Sequence, residues 1–349
     1  MLKWYENPAA DADVIISSRV RLARNLVKYP FPTRLSSTDA SAAIRAMHAS
    51  VFTEENRPNV EAEGLKFVDL SHISNWDLNI LAERHIISPS MVSQAALRGL
   101  VYNDNENISV MFNEEDHLRI QSIFVGQDLD AAFEAANRLD DLMGQNLDYA
   151  FDAEFGFLTS CPTNTGTGLR ASYMLHIPLL ESTGSLKVEV GILTKAGFTM
   201  RGIHGEGSES LGSIYQISNQ ITLGKTEDEI IHELKYYTGQ LVEKELSARG
   251  IMARDYLAEV ADSFWRSYGI LSYCRKISLP EAMRHLSAIR LGVMLGRVMG
   301  LAENPFNGTI YNIMTNIRPY GLQKIMGPAT DPRHLDILRA DYFRKVFVR

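Results

Sequence analysis

Residues Thr159 to Ser172 read T-S-C-P-T-N-T-G-T-G-L-R-A-S. Cys161 heads a run of turn formers, Pro162, Asn164, Gly166 and Gly168, and Arg170 follows where apolar, helix-compatible residues resume. Small residues let backbone N–H groups come close to an anion, an arginine beside them offers a fixed fork of donors for phosphate, and the cysteine projects into the same space. Standing alone, such a dozen residues would equally be a surface turn. The rest of the chain decides between the two.

The chain has 349 residues, of which 45% are apolar and 22% charged, the composition of an ordinary folded protein rather than a disordered one. Its length predicts about two domains. The net charge of -7 argues against a general nucleic-acid binder. The charge is uneven: residues 1–254 carry 22 Lys and Arg against 34 Asp and Glu, whereas residues 255–349 carry 13 against 8. Two units with different surfaces are implied, 1–250 and 255–349. Two cysteines, Cys161 and Cys274, do not make a disulfide framework and fit a reducing, cytoplasmic home. The N-terminus, M-L-K-W-Y-E-N-P, has no apolar leader, and no window approaches the roughly 18 apolar residues of a membrane span.

From the N-terminus, Val14, Ile15 and Ile16 predict a short buried strand, followed within a few residues by Arg19, Arg21 and Arg24. Arginines directly after a β-branched run fit an anion site better than a core. Residues 38–52 have helical spacing behind a Ser/Thr/Asp cap, 65–70 read as a strand, and 90–100 as a helix after Pro89. Residues 108–125 read as two strands around a polar centre, and 128–143 as an amphipathic helix. Residues 186–193 alternate as a strand would, 200–212 form a polar glycine-rich turn, and 214–223 return to strand character. Thr226-x-x-Glu229 is a capping box opening a helix through about Arg249. Beyond Arg254 only helical spacing remains, with a second box at Ser278-x-x-Glu281 and a strongly apolar stretch at 288–301. These elements predict an α+β fold: a large, mainly antiparallel sheet flanked by helices, followed by an all-α C-terminal domain.

Two further polar stretches interrupt the strand-rich region. Asn113-Glu-Glu-Asp-His-Leu-Arg119 places three carboxylates in a row, which repel one another unless cations or solvent are at hand; Arg201-Gly-Ile-His-Gly-Glu-Gly-Ser-Glu-Ser210 is the second. A solvated hairpin turn and a mobile surface loop are the plain alternatives. With the 159–172 loop they form a coherent set. Arg19, Arg21, Arg119, Arg170 and Arg201 supply permanent positive charge for a polyphosphate, and Glu115 and Glu206 supply negative charge for a cationic acceptor. Phosphoryl transfer needs mainly such alignment and neutralisation. Neither a G-x-x-x-x-G-K-[ST] loop nor the glycine loop, H-R-D and D-F-G set of the common protein kinases is present.

S-S-R-V-R, N-E-E-D-H-L-R, C-P-T-N-x-G-T-G-x-R-A-S and R-G-x-x-G-E-x-S-E-S, in this order, resemble the motifs of the ATP:guanidino phosphotransferases, the family of arginine and creatine kinases, over about residues 13–245. The resemblance implies a phosphagen kinase/glutamine synthetase-like catalytic domain that binds ATP. It places Ser17, Ser18, Arg19, Val20, Arg21, His85, Arg119, Arg170, Ala171, Ser172, Tyr173, Met174, Arg201, Gly202, Ile203, His204 and Gly205 at the nucleotide. Glu115 and Glu206 hold the guanidinium, with Glu115 as the first choice of base, and Cys161 lies beside the guanidine. A protonated guanidinium is a poor nucleophile, so a carboxylate must orient it and accept a proton as the N–P bond forms. Mg2+ is expected on the ATP phosphates and water, with no dedicated protein ligand.

The metabolite enzymes of that family carry a helical domain ahead of S-x-R-x-R, whereas here Ser17 is almost at the start and the extra mass follows residue 254. This order resembles the bacterial protein-arginine kinases of the McsB type, whose open site leaves room for a polypeptide. That resemblance implies protein substrates with exposed arginines, a homodimer formed through the C-terminal domain, stress-response targets passed to a Clp unfoldase and protease, a zinc-containing activator and a heat-shock repressor. It also implies a regulatory phosphoarginine site, R-D-x-x-R-A. Here that motif reads Leu335-Asp336-Ile337-Leu338-Arg339-Ala340, so Asp336 and Arg339 match while leucine replaces the first arginine. Asp336 and Arg339 as a plain i,i+3 pair is the alternative. A free-arginine kinase and a non-catalytic phosphoarginine-binding adaptor are the other functional readings.

Overall fold

The computed structural model describes residues 2–11, 14–204, 210–295 and 309–347. The described elements are β1 (Ile15–Arg24), α1 (Ser37–Val51), α2 (Arg57–Glu63), β2 (Leu65–Asp69), α3 (Asn75–Glu83), α4 (Pro89–Ser93), β3 (Gly99–Asn103), β4 (Ile108–Phe112), β5 (Leu118–Val125) and α5 (Leu129–Gly144). A small hairpin, β6 (Phe151–Asp152) and β7 (Gly156–Phe157), precedes β8 (Leu169–His176), α6 (Pro178–Ser182), α7 (Leu186–Lys195), β9 (Phe198–His204) and β10 (Ser210–Asn219). From there the described chain is helical: α8 (Glu227–Asp255), α9 (Leu257–Tyr273), α10 (Leu279–Met294), α11 (Ile310–Asn316), α12 (Pro319–Met326) and α13 (Pro332–Phe347). The large sheet runs β2-β3-β4-β5-β1-β8-β10-β9, with β2 to β5 paired antiparallel in succession. The predicted α+β fold with a helical C-terminal region is therefore the one observed.

The chain divides into two compact units. The first comprises residues 1–4, 18–172 and 218–235. In it, strand alternation sorts side chains between two helical layers. On β1, Ser18 bonds Gly126 O and receives the Asp128 N–H, and Arg24 reaches Asp140, so the even positions face α5. On β5, Ser122 donates to Ala132 O of the same helix. Odd positions face the other layer: Gln121 donates to the carbonyl of His85, just beyond α3. That layer is seated by a cluster of Leu70, Leu78, Ile86, Ile87, Met91, Leu100 and Met111.

The second unit comprises residues 5–17, 173–217 and 236–349. Its polar interior is tied by Glu245, which accepts from the backbone of Leu180 and from Arg249, whose guanidinium also reaches His176 O. His176 is completely buried and bonded to Ser287; burial, with Arg290 and Arg249 nearby, pushes its pKa well down, so it stays neutral. Arg339 of α13 donates to Ile317 O, Ile277 O and Asp336, and is buried rather than on the surface.

Three sequence expectations are corrected. Residues 186–193 form a helix, not a strand: the buried positions are Leu186 and Leu193, two turns apart, while Val188 and Ile192 of the apparent alternation are exposed. The helix expected over 90–100 ends at Ser93, and Gly99 already begins β3. The residues after Arg170 continue as β8, not a helix, with Leu169, Ala171, Tyr173 and Leu175 buried. The capping box at Thr226/Glu229 is observed in full, and at Ser278/Glu281 the Ser278 hydroxyl caps the Glu281 N–H. The apolar stretch at 288–301 starts inside α10, and its part beyond 295 lies outside the described residues.

Arg24 is a structural cation. Its guanidinium makes two bonds to one Asp140 oxygen, at 3.0 and 2.7 Å, donates to Thr167 O, and lies 3.5 Å from the Phe157 ring centroid. Replacing one partner strands the other charge inside the protein. Arg24→Ala is expected to lower unfolding free energy by about 3–5 kcal/mol, measured by urea denaturation; a loss under 1 kcal/mol would contradict that role.

Candidate active site

The first unit brings four of the five singled-out arginines together. Arg19 and Arg21 lie two residues apart on β1 and so share its odd face, and Arg119 shares the odd face of β5. Arg170 stands on β8, with Nη2 3.1 Å from Ser218 Oγ. Since β5, β1 and β8 are consecutive in the sheet, the four guanidiniums converge from three neighbouring strands. Burial, followed by repulsion from Arg19, Arg119 and Arg170, drives the Arg21 pKa well below its ordinary value, against the pull of Glu114. Guanidinium keeps its proton regardless. The result is a concentrated positive field, and Arg21 Nε, buried, has no hydrogen-bond partner among the described residues. A polyanion supplies both the missing acceptor and the compensating charge.

The Asn113–His117 turn is a built element and not a solvated one. Asn113 has φ of 56° and its N–H donates to His117 O, closing the turn. The three adjacent carboxylates avoid one another by taking different partners. Glu114 Oε1 accepts from Ser88 and Ser90, each at 2.7 Å, and Oε2 accepts from Arg119 at 2.6 Å. Burial alone would raise its pKa, but Arg119 and the hydroxyls override it and hold the group at about 2. Asp116 accepts from Asn25 Nδ2 at 2.6 Å and Ser160 N at 2.7 Å; burial outweighs both bonds and raises its pKa. Glu115 keeps a half-exposed carboxylate, 3.6 Å from Arg119 Nη1. Burial first, and then Asp116 and Glu114, raise its pKa above the ordinary 4.5 against Arg119 and Arg21. His117 is buried, held neutral with a pKa of about 4, and takes the Leu26 N–H on Nδ1.

Asp116 therefore ties the Glu115 turn to the Cys161 loop. Cys161, half-buried, has Sγ 3.0 Å from Thr163 Oγ1, and its carbonyl accepts from Thr159 Oγ1 and Asn164 N. The backbone of this loop does not form the anion cradle expected from its composition. The N–H groups of Asn164, Thr165, Gly166 and Thr167 go to Cys161, Pro162, Phe157 and Thr222 carbonyls. Its glycines serve close packing: at Gly166, φ of 117°, a Cβ would lie 2.4 Å from Thr222 O, and at Gly168, φ of 66°, one would lie 2.5 Å from Arg24 Nη1.

The other named residues are placed as follows. His85, φ of 63°, follows α3 on the arginine face. Val20 and Ala171 are fully buried, the latter with its N–H on Asn219 Oδ1, and Ser172 Oγ reaches Arg19 O. Ser17, Tyr173 and Met174 belong to the second unit, where Tyr173 is fully buried and the Met174 sulfur accepts from the Tyr311 hydroxyl. Arg201, exposed, Gly202, Ile203 and His204 lie on β9 in that unit; Gly205 and Glu206 are outside the described residues. Sequence reasoning missed Ser88, Ser90, Asn25 and the holding role of Glu114. Only the run of three carboxylates hinted that partners had to exist.

Comparison with known proteins decides the family. The model for the ATP:guanido phosphotransferase C-terminal catalytic domain matches residues 46–248. This chain belongs to the ATP:guanido phosphotransferase family. A second model, the protein-arginine kinase McsB C-terminal domain, matches residues 257–349. The protein-arginine kinase of Desulforamulus reducens is 44% identical over 98% of this chain and 94% of its own, and that of Bacillus subtilis is 42% identical over 98% and 92%. Among solved structures, lombricine kinase aligns with a TM-score of 0.57 at 25% identity, covering 68% of this chain and 67% of its own. The duplicated taurocyamine kinase of Schistosoma mansoni aligns with 0.60 at 27%, covering 75% of this chain and 39% of its own. As a family member the chain is a phosphotransferase of guanidino groups that uses ATP. No helix among the described residues is long and apolar enough to cross a membrane.

Gly166→Ala is expected to destabilise the fold by roughly 2–4 kcal/mol, combining a forbidden φ with a backbone clash. Thermal unfolding of the variant measures it, and an unchanged Tm would show that the loop relaxes freely.

Proposed function

We propose that this chain transfers the γ-phosphoryl group of ATP to a guanidino nitrogen of arginine side chains in proteins. The observation that carries this reading is the convergence of Arg19, Arg21, Arg119 and Arg170 beside Glu115, a carboxylate whose pKa is raised. The near full-length similarity to proteins named protein-arginine kinase and the match of the C-terminal domain support a protein acceptor over a free metabolite.

The arginines hold the phosphates and offset the charge that spreads over the transferring group; by the family resemblance Arg201 adds a fifth. Glu115 orients the acceptor guanidinium and takes its proton. The guanidino nitrogen bonds to the γ-phosphorus as the bond from that phosphorus to the β–γ bridging oxygen breaks, and ADP leaves with the bridging electron pair. Glu206 is the second clamp and Cys161 lies beside the guanidine in the same reading. By the family resemblance Mg2+ would be held mainly by the ATP phosphates and water, where it would neutralise charge. Residues 1–250 act as the catalytic domain and 255–349 as a domain for dimerisation and regulation. Stress-response substrates, a Clp unfoldase and protease, a zinc-containing activator, a heat-shock repressor and a cytoplasmic setting complete the proposal.

Glu115 works as a base only when ionised. With its pKa raised above 4.5, kcat/KM is expected to fall as pH drops through that raised value, so the acidic limb lies above the ordinary carboxylate position. Glu115→Gln is expected to lower kcat by roughly 10²–10⁴-fold while ATP affinity stays within a few-fold. Phosphorylation of an arginine-rich protein at the wild-type rate by the glutamine variant would contradict the role.

A further inference from the structure

Arg119 Nη1 sits between two carboxylates, 2.6 Å from Glu114 Oε2 and 3.6 Å from Glu115 Oε2. One of these acceptors is rigid. The Glu114 side chain is only 5% exposed, against 41% for Glu115, and its second oxygen is pinned by two hydroxyls that are themselves 2.8 Å apart. The serines are fixed in turn: they flank Pro89 at the start of α4, and Arg98 Nη1 donates to Ser90 O at 2.6 Å. Met91, one residue on, is fully buried in the cluster under this layer. A charged acceptor held by three donors is a stiff reference point, whereas a half-exposed glutamate is not.

We propose that Glu114, braced by Ser88 and Ser90, is a positioning residue that aims the Arg119 guanidinium at the ATP phosphates and keeps it from closing on Glu115 beyond the present 3.6 Å. The proposal rests on the functional reading above. Without the brace, Arg119 is free to move the remaining distance to Glu115. Two consequences follow from one displacement: a phosphate donor turns away, and the base is neutralised by a closer cation. The charged groups facing Glu115 are Arg119, Asp116 and Glu114 from its own turn and strand, and Arg21 from β1. Of these, the serines touch Glu114, and through it they set the position of Arg119. This arrangement also explains why the carboxylate preceding the base is buried at all, since a solvent-facing Glu114 could not hold its neighbour's partner at a fixed distance.

The test is the double variant Ser88→Ala/Ser90→Ala beside Ser88→Thr/Ser90→Thr, which keeps both hydroxyls. Ser88 is half-buried and Ser90 exposed, so the core is untouched. Four quantities are read: equilibrium affinity for ATP with magnesium, kcat and KM for phosphorylation of casein across pH, and Tm. The alanine pair is expected to weaken ATP binding roughly tenfold and to move the acidic limb of the pH–rate profile to lower pH, because Glu115 gains a closer cation. The threonine pair is expected to restore both. Unchanged ATP affinity and an unchanged limb would overturn the proposal. So would a loss that tracks a lowered Tm and that threonine fails to rescue, which would mark the serines as merely structural. If the wild type bound ATP but phosphorylated no protein, the functional reading would fall, and the affinity comparison would still decide the brace.

Discussion

Everything at the candidate active site depends on the crowding of like charges. Four guanidiniums rise from three adjacent strands, and nothing short of a paired, twisted sheet would hold them there against their repulsion. The even face of β1 and β5 is committed to α5 through Ser18, Arg24 and Ser122, which fixes the register and so forces Arg19, Arg21 and Arg119 into the site. A one-residue slip would bury Arg19 and Arg21 under a helix and turn Val20 and Leu22 outward. The field is thus a property of β pairing, stabilised by hydrophobic and ion-paired contacts on the opposite side.

Against that field, the Asn113–His117 turn distributes three carboxylates to three ends. Glu114 restrains Arg119, Glu115 remains half-exposed and basic, and Asp116 anchors the Cys161 loop through Ser160 and Asn25. Neighbouring residues of identical chemistry acquire different pKa directions because burial and donors differ at each. Arg119, in contact with Glu114, depresses its value, whereas burial and the neighbouring carboxylates raise that of Glu115 against the pull of the same guanidinium. Such divergence is what separates a holding carboxylate from a proton acceptor.

Much of this was legible in the sequence. Periodicity gave β1, α1, β4, β5 and α5, and capping boxes gave the starts of α8 and α10, because those signals are local. The arginines and Glu115 stood out as charges interrupting strand-rich stretches. What was not legible was long-range or two-faced. Residues 186–193 satisfy an alternating pattern and a two-turn helical one equally, and only packing chose the helix. The loop glycines looked like an anion cradle, but their left-handed conformations serve contacts with Thr222 and Arg24, 50 and more residues away. Arg24 belongs to the run of arginines read as fitting an anion site, yet it is bound inside the fold by Asp140. Ser88 and Ser90 carried no signal, since their partner lies across the fold.

Phosphorus NMR of the purified protein with ATP and magnesium, run in parallel on casein and on free L-arginine, tests the central claim most directly. An acid-labile N–P resonance on casein and none on free arginine is the expected result. A resonance on free arginine with none on casein would contradict a protein acceptor and make the chain a metabolite kinase, and silence on both with ATP bound would contradict catalysis itself.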